Sequence, residues 1–240
     1  MVRVGVSEVL GDAWDVYTLL FRRSVPLAAL VFAVVDGVQK FIFAFDNRGA
    51  RFGLAIATFV LVVAGPILVQ GALVEIVRNV HEGRRPATIA ELLSLAFGRL
   101  PSLLWAAIVY GFGTVFGLLL LIVPGLLVLS RWCLMAPLIM LEGHTGGEAR
   151  ARSRELVKPY TWPVLGVVLL TFFLTTAITG LFGAVHTSPV IGWLISVIAS
   201  ALTVPFYAHV LSVLYYRITD PENRVVHPDV RRWQSVWEGA

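Results

Sequence analysis

The chain has 240 residues, of which 58% are hydrophobic and only 14% are charged, and its mean hydropathy is +0.82. A soluble domain carries about 25% charged and about 45–50% apolar residues, and its core cannot bury such an apolar excess. The composition therefore excludes an ordinary soluble domain and predicts an all-α polytopic membrane bundle. The net charge is +4, but the arginines cluster between apolar runs, as charges beside a membrane do, so we expect no nucleic-acid partner.

Six apolar runs have about the length with which a helix crosses a hydrocarbon core of roughly 30 Å. The predicted spans are residues 25–45, 52–77, 100–123, 125–141, 161–185 and 189–216. Pro124 and Gly125 predict a tight turn between the third and fourth spans, because one helix over residues 100–141 would be about twice too long. The short fourth run leaves open a partly re-entrant segment.

Three segments with helical apolar spacing predict short amphipathic surface helices at residues 7–23, 88–98 and 147–157. Thr88 and Glu91 form a capping-box pattern, and Glu148 stands near a helix start, four residues before Arg152. We interpret these segments as helices lying flat under the bilayer; the alternative is a docking site for a protein partner.

A proline near the start of a span follows each surface helix, and each returning span carries another proline. The prolines of the returning spans are Pro66, Pro137 and Pro205. The recurrence predicts a three-fold pseudo-repeat of helical hairpins within one domain, residues 1–240.

The distribution of basic residues predicts the orientation. With a cytoplasmic N-terminus, fifteen of the 19 basic residues lie inside, Arg48 and Arg51 lie outside, and Lys40 and Arg131 lie within spans. Such a bias follows the positive-inside rule and predicts cytoplasmic N- and C-termini. The high share of arginine is typical of a GC-rich genome, which favours a bacterial plasma membrane.

Asp36, Lys40 and Arg131 are charged residues deep inside the predicted spans, where each costs at least about 2.5–3.5 kcal/mol at mid-bilayer. At 1.5 Å per residue, Asp36, Lys40 and Arg131 lie roughly 16, 22 and 21 Å from the inner edge. The similar depths predict that Arg131 faces the first span and shares Asp36 with Lys40. This polar layer is either a buried charge cluster that fixes helix packing or a cavity for an ion, a proton or a lipid headgroup.

Two further groups of candidate residues are expected at the inner interface. A mixed polar group comprises Glu75, Arg78, Glu142, His144, His209 and Arg217. A basic group, predicted to contact anionic lipids, comprises Arg150, Arg152, Arg154 and Lys158. Glu142 and His144 could ligate a metal, but no third ligand stands at a defined spacing, so ion pairing is the preferred interpretation.

Glycines spaced four residues apart also predict close helix packing. Gly113 and Gly117 form one small face, which suits packing within the chain or across a homo-oligomer. The sequence does not decide between packing within the chain and packing across a homo-oligomer.

The sequence of the fourth predicted span and of the segments that follow it resembles that of a known family. The residues concerned are Leu129-Ser-Arg131-Trp132-Cys-Leu-Met-Ala-Pro137, then Glu142 and Ala149-Arg-Ala-Arg-Ser153-Arg-Glu-Leu156, and finally Pro205-Phe and Leu214-Tyr-Tyr-Arg217. This pattern resembles the membrane domain fused to some bacterial glycerophosphodiester phosphodiesterases, and related uncharacterised multi-pass proteins. The resemblance implies a helical bundle and draws attention to Arg131, Pro137, Glu142 and Ser153. The catalytic barrel is absent from this sequence, so the phosphodiesterase activity is not implied, and Pro159 stands where that group would have glycine.

No nucleophile elbow, zinc-protease motif or phosphate loop occurs in the sequence, so we expect neither an enzyme nor a bound cofactor. The preferred hypothesis is a non-enzymatic protein that organises membranes, associates with lipids or scaffolds partner proteins. The alternative is a small transporter or channel that uses the layer of Asp36, Lys40 and Arg131. A lipid-modifying enzyme at the inner interface is a more remote third hypothesis.

Overall fold

The computed structural model describes residues 5–41, 48–85, 87–183 and 188–220, and in these ranges the chain is helical apart from short connections. The helices are α1 (Val6–Phe41), α2 (Arg48–His81), α3 (Ile89–Gly98), α4 (Leu100–Leu120), α5 (Ile122–Arg131), α6 (Met135–Leu141), α7 (Gly146–Val157), α8 (Thr161–Gly183) and α9 (Pro189–Thr219). A 3₁₀ turn, Lys158–Tyr160, joins α7 to α8.

Six stretches of the described chain are helical, long and apolar enough to cross a membrane. They are Val6–Gln39, Thr58–His81, Leu100–Leu120, Ile122–Leu141, Gly146–Gly183 and Val190–Thr219. The all-helical architecture and the number of apolar helices expected from the sequence are thus confirmed. We call the end at which α1 begins and α2 and α9 end the polar end of the bundle, because most of its ion pairs lie there.

The first surface helix does not exist as a separate element, so that prediction was wrong. Residues 7–23 are the N-terminal half of α1, which continues unbroken past Pro26. The buried positions Ala13, Leu20 and Leu27 recur every seven residues, so one apolar face passes Pro26 in register. Packing of this face against α9 keeps α1 in one piece, while Pro26 lies on the exposed side.

The turn between α4 and α5 is also displaced from its predicted place. The helix breaks at Leu121, whose φ of −160° and ψ of 141° are extended, and Pro124 and Gly125 belong to the first turn of α5. Proline is tolerated there because its missing N–H would have no helical partner. The predicted fourth span is itself divided into α5 and α6 by residues 132–134.

The small face of α4 packs within the chain, which answers the question that the sequence left open. A Cβ atom added to Gly117 would lie 2.7 Å from the Cα atom of Gly125, and one added to Gly113 would overlap the ring of Trp132. The two glycines therefore allow α4 and α5 to approach closely.

The other two predicted surface helices, α3 and α7, are separate elements. Each begins with a capping box, formed by Thr88 with Glu91 and by Thr145 with Glu148. The backbone N–H of Thr88 donates to the Glu91 carboxylate at 2.8 Å, and this bond holds the pKa of Glu91 below its usual value. Arg152 pairs with Glu142 and not with Glu148, contrary to the expected i, i+4 pair.

The bundle is packed tightly toward the polar end and loosely at the other. The largest fully buried side chains include Leu20, Leu73, Leu138, Leu211 and Leu214. By contrast, the tip of the α4–α5 hairpin is apolar and exposed, with Leu119 and Leu120 each 77% exposed. A lipid environment suits such a tip.

A glycine substitution tests the close contact of α4 with α5. Gly117→Ala should destabilise the protein by about 1–3 kcal/mol, because the new methyl group meets the backbone of Gly125. The measurement is unfolding in detergent micelles, followed by circular dichroism. Gly111→Ala on the same helix is the matched control, since nothing lies within 4 Å of a Cβ atom there. Equal stability of the two variants would contradict the assigned contact.

Candidate functional site

The predicted intramembrane layer is not assembled as expected. Arg131 Nε lies 3.4 Å from Thr161 Oγ1 at the start of α8, and α5 packs against α4, α7 and α8. Among the described residues Arg131 forms no ion pair with Asp36, so this part of the prediction was wrong. Asp36 is half-buried on α1, and the side chain of Lys40 lies outside the described residues. The physical reason is the break after Arg131, which turns the chain toward α7.

Ser153 of α7 satisfies the backbone at this break. Its Oγ donates to the carbonyl oxygen of Arg131 at 2.8 Å and accepts from the N–H of Leu134 at 3.3 Å. Both groups lie at helix ends, where an intrahelical partner is missing. The fully buried Ser153 therefore ties α7 to the junction of α5 and α6.

The last turn of α9 contacts three helices through three successive residues, Tyr215, Tyr216 and Arg217. Arg217 donates to both α1 carboxylates: Nη2 lies 2.6 Å from Asp12 Oδ2, and Nη1 lies 2.9 Å from Glu8 Oε2. The Arg217 side chain is 14% exposed, so these charge-assisted bonds are partly protected from water.

Tyr215 reaches the group around Glu142 at the end of α6. Its hydroxyl donates to Glu142 Oε1 at 2.9 Å, while Glu142 Oε2 lies 2.8 Å from His144 Nε2 and 3.7 Å from Arg152 Nε. The predicted closeness of Glu142 and His144 is confirmed. Arg152, one of the predicted lipid contacts, thus has an acidic partner.

Tyr216 packs against the end of α2. Its ring centroid is 4.0 Å from that of His81, whose Nε2 lies 3.4 Å from Asp220 Oδ2. On the same helix Arg78 bridges two acids, with Nη1 3.6 Å from Glu75 and Nε 2.9 Å from Glu82. Glu75 and Arg78, two members of the predicted inner group, therefore form a pair.

His209 does not join the other members of the predicted inner group. It is fully buried between α9 and α1, where its Nε2 lies 3.0 Å from Ser24 Oγ. No carboxylate among the described residues contacts this pair, so the arrangement of a Ser-His-acid triad is not formed. The described residues also hold no group of three His, Cys, Asp or Glu that could bind a metal ion.

The basic residues of α7, together with Lys158 directly after it, divide into paired and unpaired cations. Arg150, Arg154 and Lys158 are exposed and stand four residues apart, on one face of the helix. Arg150 Cζ lies 5.5 Å from the ring centroid of Trp132, a cation–π geometry, and no described carboxylate pairs with Arg154 or Lys158. We call Arg150, Arg154 and Lys158 the cationic stripe.

Sequence reasoning missed Glu8, Asp12, Ser24 and Tyr215 as partners of the predicted residues. Glu8 and Asp12 stand four residues apart, a spacing that could have suggested a shared cation. Nothing in the sequence relates them to Arg217, which lies some 200 residues away. Ser153 was singled out only through the resemblance, without a role.

Removal of the Ser153 hydroxyl tests its role at the break. Ser153→Ala should lower the free energy of unfolding by about 1–3 kcal/mol, because a buried N–H and a buried carbonyl lose their partner. Ser196→Ala is the matched control, since its hydroxyl only donates to Gly192 of its own helix. Denaturant unfolding in micelles measures both variants. An equal effect of the two would contradict the tie between α7 and the break.

The neighbouring tyrosines allow a second test. Tyr215→Phe should cost about 1.5–3 kcal/mol, because the Glu142 carboxylate loses a hydroxyl donor. Tyr216→Phe should cost less, since the described structure gives its hydroxyl no hydrogen bond and its ring contact with His81 is retained. Thermal unfolding of the two variants in the same detergent compares them. A larger loss from Tyr216→Phe would refute the assignment.

No known protein family matches this chain, and no curated protein or solved structure is similar to it.

Proposed function

We propose that this protein is a non-enzymatic, lipid-associated membrane protein that binds anionic phospholipids through the cationic stripe of α7. The observation that carries the proposal is the division of α7 into two faces. One face is buried against the bundle and consists of Ala149, Ser153 and Val157. Each residue of the cationic stripe directly follows one of these buried residues in the sequence. The helix is therefore held by one face and presents cations on the adjacent one.

The surroundings of the stripe support a membrane ligand over a soluble one. Trp162 follows α7 closely and is 71% exposed, and Trp105, beside the start of α7 at Gly146, is also exposed. Exposed tryptophans at helix ends are typical of the interface between headgroups and hydrocarbon. Cations at that level meet lipid phosphates, and each contributes about 1 kcal/mol near an anionic surface.

The proposed orientation places the stripe on the cytoplasmic face of a plasma membrane, with both termini cytoplasmic. The bias of basic residues toward the polar end supports this orientation. The anionic lipids of a cytoplasmic leaflet are then the partners within reach. The stripe also leaves room for a protein partner or a second copy of the chain, which we place second because the tryptophans favour lipid.

The three-fold pseudo-repeat belongs to the same proposal. α3 and α7 are capped helices that each precede an apolar hairpin, and the first half of α1 is the fused equivalent. Each unit would thus place one amphipathic segment at the inner interface. The alternative function, a transporter or channel, relied on a polar layer completed by Arg131. Arg131 lies beside Thr161, so we place this alternative after lipid binding.

Charge neutralisation tests the proposal. Arg150→Gln combined with Arg154→Gln should reduce the phosphatidylglycerol retained by the protein about tenfold to thirtyfold at low salt, the factor expected from two interfacial cations. Full-length protein is equilibrated with mixed micelles of phosphatidylcholine and phosphatidylglycerol, and the retained lipid is quantified by mass spectrometry.

The matched control removes two paired arginines. Arg84 and Arg85 have acidic partners, Glu82 and Glu91, so Arg84→Gln combined with Arg85→Gln removes the same charge but no cation of the stripe. Equal retention by the two double variants would show that net charge alone attracts the lipid and would overturn the proposal.

A further inference from the structure

A groove lies between α2, α8 and α9, away from the ion pairs of the polar end, and its mostly apolar lining includes several polar groups. It has a volume of about 380 Å³, within the range of small-molecule sites. Its polar lining residues are Gln70, Thr175, Thr176, Thr179, Thr203 and Tyr207. Phe172, Thr176 and Thr179 are exposed, so the groove opens on the side of the bundle.

The groove lies near the middle of the membrane-crossing helices. Gln70, Thr175 and Thr203 stand roughly 16–24 Å along their helices from the polar end. This distance places them inside a hydrocarbon core roughly 30 Å thick, from its centre toward the far side. Water is scarce at that depth, so the polar groups there need partners from protein or lipid.

Gln70 is a polar group of this groove that has no hydrogen-bond partner among the described residues. Its amide offers two N–H donors and one acceptor, and no described residue forms a hydrogen bond with it. An amide left unpaired in an apolar medium is costly. A ligand that supplies an acceptor to this amide would remove the cost.

The threonines complement Gln70. The hydroxyls of Thr175, Thr179 and Thr203 donate to carbonyls of their own helices at 2.8–2.9 Å. Their protons are therefore engaged, whereas oxygen lone pairs remain free to accept a bond. The groove thus presents donors at one place and acceptors at others, which suits a ligand with a hydroxyl and a carbonyl.

A second cavity of about 140 Å³ adjoins the groove toward the interior. The two share Ile67, Gln70 and Tyr207, and the inner one also includes Tyr110 and Cys133. No lining residue of either cavity carries a formal charge. An ionised ligand group would find no counter-charge there, so its desolvation would be uncompensated.

We propose that this groove binds an uncharged lipid that carries hydroxyl and ester carbonyl groups, of the diacylglycerol class, with its polar part at Gln70 and its chains along α8. The exposed apolar surface of α8, including Phe172 and Phe173, supplies the contact for the chains. The site is separate from the cationic stripe and does not depend on it.

Photolabelling tests the site. The full chain is reconstituted in phosphatidylcholine vesicles with diacylglycerol that carries a diazirine in one acyl chain, and the labelled peptides are identified by mass spectrometry. We expect label on α8 and α9 beside the groove. Phosphatidic acid with the same chains differs only by its phosphate and should label these peptides far less, since the cavities hold no cation.

Two pairs of variants complete the experiment. Gln70→Leu should lower the labelling about threefold to tenfold, the effect of one intramembrane hydrogen bond, whereas Gln39→Leu at an exposed site of α1 should not. Thr176→Phe should block the groove, whereas Ala177→Phe, the next residue and outside the lining, should not. The stripe variant with Arg150→Gln and Arg154→Gln should label like the parent.

Three results would overturn the inference. Gln70→Leu and Thr176→Phe could both label like the parent, or phosphatidic acid could label the groove as well as diacylglycerol does. The third is a disulfide between copies of a Thr176→Cys variant that carries Cys133→Ala, which would show that a second chain covers the groove.

Discussion

The antiparallel pairing of α1 with α9 joins the first and last helices of the described chain, and the other helices are arranged around it. Polar ties secure the pair along its length: Arg217 binds Asp12 at the polar end, and Trp193 Nε1 donates to the Ala33 carbonyl 3.1 Å away near the other. Within a bilayer, lipid is as apolar as leucine, so helix association depends on close packing and on such hydrogen bonds. This pairing explains why α1 remains one helix through Pro26, and why the end of α9 can contact three helices.

The break between α5 and α6 follows from the same constraint. A helix that breaks inside a membrane protein exposes backbone groups that hydrocarbon cannot satisfy. Ser153 supplies both the donor and the acceptor, and Thr161 engages the side chain of Arg131. Ser153, which fixes the junction of α5 and α6, lies on the same helix as the cationic stripe. The stripe is therefore positioned by a helix packed against the core.

The charges of the described chain serve two purposes. Arg217, Arg152 and Arg78 have acidic partners and hold helices together or cap helix ends. Arg154 and Lys158 have none among the described residues and face outward. Arg152, which the sequence grouped with the lipid contacts, is thus one of the paired cations. Sequence spacing suggested the partner Glu148, but the chain turn at residues 142–145 brings Glu142 closer.

The sequence by itself determined the helical architecture, the number of apolar helices and the capping box of α3, because these depend on hydrophobic length and on contacts three or four residues apart. Only the tertiary structure decided that Arg131 faces Thr161, that Arg217 binds Asp12, and that Gln70 lines a groove. These contacts depend on the rotation and tilt of whole helices, which the packing of distant small and large side chains sets together. Two residues at a similar depth in the membrane, such as Asp36 and Arg131, need not be close, because their side chains can point in any direction around their helix axes.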